Sequence, residues 1–83
     1  MAFDDRKATE IAVQAINDIA AAMPSPAIIP LIKKKAPDKF NQILAAEQKA
    51  DRARTKADMP GLKAAIEEYK RLWLGAINQF TAA

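Results

Sequence analysis

The sequence predicts a small all-α protein, a three-helix bundle with a proline-rich connector between its first and second helices. Just over half of the 83 residues (51%) are apolar, and many of these are alanine, the strongest helix former. Glycine occurs only twice, which leaves few points where a helix is interrupted. The apolar residues recur with a period near 3.6, as on one face of a helix. The length suits one domain, which we expect to span 1–83.

The first helix is predicted at about 4–23. Asp4 or Asp5 can cap its N-terminus, and both carboxylates favour the positive end of the helix dipole. Pro24 ends it, because a residue that precedes proline avoids the helical conformation. Val13 falls beside the apolar face rather than within it. That face consists of Ala8, Ile11, Ala12, Ala15, Ile16, Ile19 and Met23.

The connector is predicted at 24–36. Three prolines between positions 24 and 30 fix the backbone φ and remove hydrogen-bond donors. A brief helical turn from Pro30 to about Lys35 fits the remaining residues. The connector is too apolar for a solvated linker, so we expect it to cover one end of the core. Its large apolar residues are Ile28, Ile29, Leu31 and Ile32.

The second and third helices are predicted at about 37–57 and 59–80. Pro37 and Asp38 form a favourable first turn for the second helix. The connection between the two helices is short, so they should pack as antiparallel neighbours. Leu74 projects away from the apolar face of the third helix. We expect the core of the bundle at Ile11, Ile16, Ile19, Phe40, Ile43, Leu62, Ile66, Tyr69, Trp73 and Phe80.

The composition argues against an enzyme. The chain has no cysteine and no histidine, the commonest metal ligands and general bases, and its single serine lies between two prolines. We therefore predict no catalytic residue, no metal site, no cofactor and no small-molecule substrate. No apolar run approaches the roughly 18–20 residues of a membrane span, and the acidic N-terminus is unlike a signal peptide. A cytoplasmic protein without membrane contact is expected.

The basic side chains are concentrated at 33–56. This region has eight basic and three acidic residues, a net charge of +5. Such a region can bind phosphates, although nearby carboxylates favour an ordinary solvated surface, and no aromatic residue is interleaved for base stacking. The candidate nucleic-acid-binding residues are Lys33, Lys34, Lys35, Lys39, Lys49, Arg52 and Lys56.

The leading functional prediction is a small protein-interaction module: an adaptor, an inhibitor or a regulatory subunit. It depends on apolar side chains beyond those that a thin bundle obviously buries. Two alternatives stay open: a nucleic-acid-binding accessory protein that uses 33–56, and a structural subunit of a homo-oligomer, whose partner is a second copy. The candidate partner-binding residues are Val13, Ile28, Ile29, Leu31, Ile32 and Leu74.

Overall fold

The structure, a computed structural model, describes residues 3–81, and these form four helices. No strand occurs within this range, so the all-α class is confirmed, whereas the prediction of three helices is wrong. None of the four helices is both long enough and apolar enough to cross a membrane. They are α1 (Asp5–Ala22), α2 (Ile28–Lys35), α3 (Pro37–Thr55) and α4 (Met59–Thr81).

The additional helix, α2, lies in the predicted connector. It begins at Ile28, so Pro30 is its third residue. The first-turn N–H groups of a helix have no partner within it, and a proline there removes no hydrogen bond. The chain enters α2 through two tight turns, in which the N–H groups of Ile28 and Ile29 donate to the carbonyls of Ser25 and Pro26, each at 3.1 Å. Pro30 is therefore compatible with a helix here, because it lies in the first turn.

The ends of α1 agree with the sequence-based expectation to within a residue. The Asp4 carboxylate accepts a hydrogen bond from the Lys7 N–H at 3.1 Å, which confirms an aspartate N-cap. At the other end Met23 has an extended backbone (φ −86°, ψ 117°) directly before Pro24. Proline therefore ends the helix as predicted.

The turn between α3 and α4 is a Schellman motif with an alanine in the left-handed position. Ala57 has φ 56°. Its N–H donates to the Arg54 carbonyl at 3.1 Å, and the Asp58 N–H donates to the Ala53 carbonyl at 2.8 Å. The Asp58 carboxylate then caps α4 by accepting from the Gly61 N–H at 3.0 Å. This compact turn makes α3 and α4 antiparallel.

Helix α4 is the centre of the protein and packs against the other three helices. Asp18 of α1 pairs with Lys70 of α4 at 3.1 Å, and Ala8 packs in the same cluster as Leu62, so α1 runs parallel to α4. Helix α3 packs along the other side of α4, and α1 and α3 hardly contact each other. The protein measures 47 × 23 × 15 Å and is therefore elongated.

The core has two ends of different thickness. At one end α2 covers the aromatic and isoleucine side chains, and Ile28 and Ile32 are 6% and 0% exposed. This confirms that the predicted connector covers one end of the core. At the other end the buried residues are mostly small and come only from α1, α3 and α4. The α2 end buries Ile19, Ile28, Ile32, Ile43, Trp73, Ala76 and Ile77, and the other end buries Ala8, Ala15, Ala53, Leu62 and Ile66.

The predicted core is largely correct, with one clear error. Ile16 is 57% exposed, more than any other large apolar side chain among residues 3–81. Because α1 has essentially only α4 to pack against, its buried stripe narrows to Ala8, Ala15 and Ile19. Ile16 lies on the edge of that stripe. Five predicted core residues are buried (Ile19, Ile43, Leu62, Ile66 and Trp73), and four are partly buried (Ile11, Phe40, Tyr69 and Phe80).

Candidate functional site

A groove runs between α1 and α3 above α4, and we refer to it as the α1/α3 groove. Its volume is about 210 Å³. It exists because α1 and α3 flank α4 with almost no contact between them, and because both helices present alanines there, which do not span the gap. Its floor is formed by Leu62, Ile66 and Tyr69 of α4, and its walls by Ala8, Ala12, Ala15 and Ile16 of α1 and by Glu47, Ala50, Asp51 and Arg54 of α3.

One exposed large apolar side chain, Ile16, lines the α1/α3 groove, and two others, Val13 and Leu44, adjoin its lining residues along α1 and α3. We refer to these three residues as the rim. Ile16 lines the groove, and Val13, one turn earlier on α1, is 49% exposed. On α3, Leu44 is 41% exposed and precedes Glu47 by three residues, so the two share one helix face. Leu62 and Ile66 on the floor are buried, so the apolar surface that solvent reaches lies on the rim.

The sequence-based reasoning missed two of these rim residues. It placed Ile16 in the core and overlooked Leu44. Leu44 directly follows the buried Ile43, and adjacent helical residues point about 100° apart, so a helical wheel of α3 shows that it leaves the apolar stripe. For Ile16 the helical wheel gives no such signal, because the apolar stripe does not reveal that α1 packs against essentially one helix, α4, which covers only part of the stripe.

The two walls of the groove differ in charge. Between Ile11 and Met23, helix α1 has one charged residue, Asp18, which is paired with Lys70. On α3, Glu47 and Asp51 are exposed at the groove, and neither forms an ion pair with any residue of 3–81. The α1 wall is therefore uncharged, and the α3 wall has two carboxylates and one cation, Arg54, a net charge of −1.

One end of the groove is closed by a polar contact. The Arg54 guanidinium donates a hydrogen bond to the Thr9 hydroxyl at 3.4 Å, which joins α3 to the N-terminal half of α1. This contact engages the single cation of the α3 wall.

On the opposite seam between α1 and α4, Asp18 is held by two donors. The Lys70 ammonium donates to Asp18 at 3.1 Å, and the Gln14 amide donates to it at 3.0 Å. These hydrogen bonds, that of Lys70 first, lower the pKa of the Asp18 carboxyl below its usual value. The contact fixes the register of α1 on α4, and no polar or charged side chain is fully buried there or elsewhere in 3–81.

The predicted apolar partner-binding residues do not form one surface. Ile28 and Ile32 are buried in the core beneath α2, so neither is available to a partner, and for these two residues the prediction is corrected. Ile29 and Leu31 are 37% and 39% exposed on either side of the buried edge of α2. Leu74 is half-buried and lies among charged residues on the other face of α4. Of the six predicted residues, Val13 alone is on the rim of the α1/α3 groove.

The predicted basic residues lie in two places. Lys33, Lys34, Lys35 and Lys39 are exposed where α2 meets α3, and the Lys33 ammonium is 5.8 Å from the centre of the Phe40 ring.

The other three, Lys49, Arg52 and Lys56, line a cleft between α3 and α4. Carboxylates face them there: Glu68 pairs with Lys49 at 3.7 Å, and Asp58 lines the same cleft. The lysines at the α2–α3 corner are therefore the less neutralised of the two groups.

No group of three or more carboxylates within 3–81 is placed to hold a metal ion. Comparison of the chain with protein-family models, with curated proteins and with solved structures finds no match.

Proposed function

We propose that the protein is a small non-enzymatic interaction module that binds a protein partner in the α1/α3 groove. One observation carries the proposal: exposed large apolar side chains, Val13, Ile16 and Leu44, stand on the rim of a groove whose floor is apolar. Single exposed apolar residues are ordinary, but several of them beside one groove are typical of an interaction surface. Adaptors, inhibitors and regulatory subunits all act through surfaces of this kind.

The rim offers enough apolar surface to matter for binding. Full burial of an aliphatic side chain contributes about 1.5–3 kcal/mol relative to full exposure. Val13, Ile16 and Leu44 are between 41% and 57% exposed, so about half of that gain is still available at each. Together they amount to roughly 2–4 kcal/mol, or about a 30- to 1,000-fold change in Kd.

The proposal is tested by affinity capture from cell extract with matched variants. Ile16→Asp places a charge on the groove rim, and Leu74→Asp places the same charge on the other face of α4. Proteins that the wild type and Leu74→Asp retain, and that Ile16→Asp loses, support the groove. If Leu74→Asp loses the partner and Ile16→Asp keeps it, the proposal is wrong. Far-UV circular dichroism of both variants checks that each still folds.

A second candidate function is binding to nucleic acid at the α2–α3 corner. The observation that favours it is the cluster of four exposed lysines, with Asp38 as the one nearby carboxylate in sequence. Backbone phosphates would contact these lysines, and the affinity would fall steeply with salt. Titration of a mixed-sequence DNA duplex at low salt tests this candidate. It predicts binding that Lys34→Glu and Lys39→Glu weaken, and the absence of binding at low salt would rule it out.

A further inference from the structure

The protein has a second layer of structure at one end only. Helical domains bury their apolar faces between packed layers. At one end, α2 lies over α3 and α4 and packs Ile28 and Ile32 against Trp73. At the other end, Leu62 and Ile66 of α4 are buried by α1 and α3 alone, and no further helix of 3–81 packs over this cluster.

The uncovered end continues the same face of α4. Trp73 follows Ile66 by seven residues and Leu62 by eleven, spacings that return to one side of a helix. The α1/α3 groove is therefore the continuation of the surface on which α2 packs. Whatever fills it takes the position that α2 has at the other end.

We propose that the groove binds an amphipathic helix of the partner, and that this helix has lysine or arginine along its edge facing α3. The inference rests on the proposed function and adds the chemistry of the partner. A helix fits because the groove lies between two antiparallel helices, and because the alanines Ala12 and Ala50 let a third helix approach closely. This is the helix-in-groove mode of peptide recognition.

The dimensions of the groove set the length of the bound helix. The groove begins at the contact between Thr9 and Arg54, and the part of the core covered by α2 begins at Ile19. Ten residues of α1 at about 1.5 Å each span roughly 15 Å, or about three turns. A bound segment of about 10–12 residues, with apolar residues at i, i+3 or i+4, and i+7, matches that length.

The charges on α3 favour basic residues along the edge of the bound helix that faces α3. Glu47 and Asp51 are four residues apart, so they lie on one face of α3, and neither has an ion-pair partner within 3–81. Two cations one turn apart on the bound helix complement this pair. Exposed pairs of this kind add modest affinity, but they fix the orientation and the preferred partner.

The same charges disfavour a second copy of this chain as the occupant. A second copy would most simply present the exposed strip of α1 that contains Val13 and Ile16. Between Ile11 and Met23 that strip has no lysine or arginine. It would therefore offer no cation to the acidic wall.

A display library of 14-residue amphipathic helices tests the inference. The apolar positions are fixed as leucine, and both flanks are randomised among Lys, Glu and Gln. Selection uses the wild-type protein, with Ile16→Asp and Val13→Asp as counter-selection. We expect the enriched clones to carry lysine on one flank.

Charge reversal then identifies which wall of the groove contacts the basic flank of the bound peptide. The double variant Glu47→Lys/Asp51→Lys should bind an enriched peptide about three- to tenfold more weakly, in line with two exposed ion pairs. The double variant Glu10→Lys/Glu67→Lys makes the same change in net charge on the opposite seam, and it should bind within about twofold of the wild type.

The possible failures are distinguishable. If no clone distinguishes the wild type from both Ile16→Asp and Val13→Asp, the groove is not a docking site and the proposed function fails with the inference. Enrichment of glutamate or glutamine flanks, or equal weakening by the two double variants, overturns the inference of a basic flank and leaves the groove as a docking site. A wild-type dimer in sedimentation velocity that Ile16→Asp dissociates would show that the occupant is a second copy, and would overturn the inference.

Discussion

Alanine substitution at two isoleucines, one on the rim of the groove and one in the core, tests whether the groove rim is exposed. Ile16 is 57% exposed on the rim of the groove, whereas Ile32 is completely buried beneath α2. Replacement of either by alanine removes the same hydrocarbon. At Ile32 the change loses the transfer free energy of the buried groups and leaves a cavity, a cost of about 2–5 kcal/mol.

At Ile16 the same change should cost much less. Less than half of the side chain is buried. Scaling about 0.8 kcal/mol per buried methylene by that fraction gives roughly 1 kcal/mol. Alanine has the higher helix propensity, which returns a few tenths of a kcal/mol. We therefore expect Ile16→Ala to lower the free energy of unfolding by about 0.5–1 kcal/mol.

Guanidinium unfolding at 25 °C measures both values. Trp73, the one tryptophan of the chain, is 8% exposed and reports unfolding by fluorescence. Ile32→Ala should shift the midpoint far more than Ile16→Ala, with similar slopes for both variants. Equal losses for the two variants would show that Ile16 is buried in solution, and would refute the exposed groove rim.

Three further predictions concern the local structure. Ala57→Gly should stabilise the protein by about 0.5–1 kcal/mol in thermal or chemical unfolding, because glycine relieves the left-handed backbone at φ 56° at some cost in chain entropy; a loss of stability would contradict the Schellman turn. Gly61→Ala should not stabilise the protein, because the new Cβ displaces the Asp58 carboxylate that caps α4, and the loss of that cap, about 0.5–2 kcal/mol, offsets the roughly 0.5–1 kcal/mol that alanine gains over glycine in a helix; a clear rise in the midpoint would argue against that cap. Asp18→Asn should be less stable than the wild type at pH 7, since the Lys70 ammonium holds the pKa of this carboxyl low and the charged form stabilises the folded state. That difference should shrink as the pH falls from the usual aspartate value of about 3.9 through the lowered pKa, and a difference independent of pH would contradict the assignment.

The secondary structure could largely be predicted because it depends on local chemistry. The Asp4 cap, the stop before Pro24 and the short link between α3 and α4 all act within a few residues. Helix α2 is longer than the brief turn that the sequence predicts from Pro30 to about Lys35, because it begins at Ile28 and includes Pro30 in its first turn. Proline disrupts a helix only beyond the first turn, and where the first turn begins is not apparent from composition.

The candidate site could be predicted only in part because it depends on how the helices pack. The periodicity of α1 identifies its apolar stripe but not which edge a neighbouring helix covers, so Ile16 was assigned to the core. The apolar residues of α2 were ambiguous for the same reason, and the structure buries Ile28 and Ile32 while it leaves Ile29 and Leu31 partly exposed.

The most direct test of the α1/α3 groove as a docking site is an NMR titration of the labelled protein with small aromatic fragments. Such fragments collect where a protein binds apolar partners, and no partner has to be known beforehand. A docking groove predicts shifts in the backbone amides that line it, at Ala12, Ile16, Ala50 and Asp51. Shifts confined to other surfaces of the protein, or no shifts at all, would contradict it.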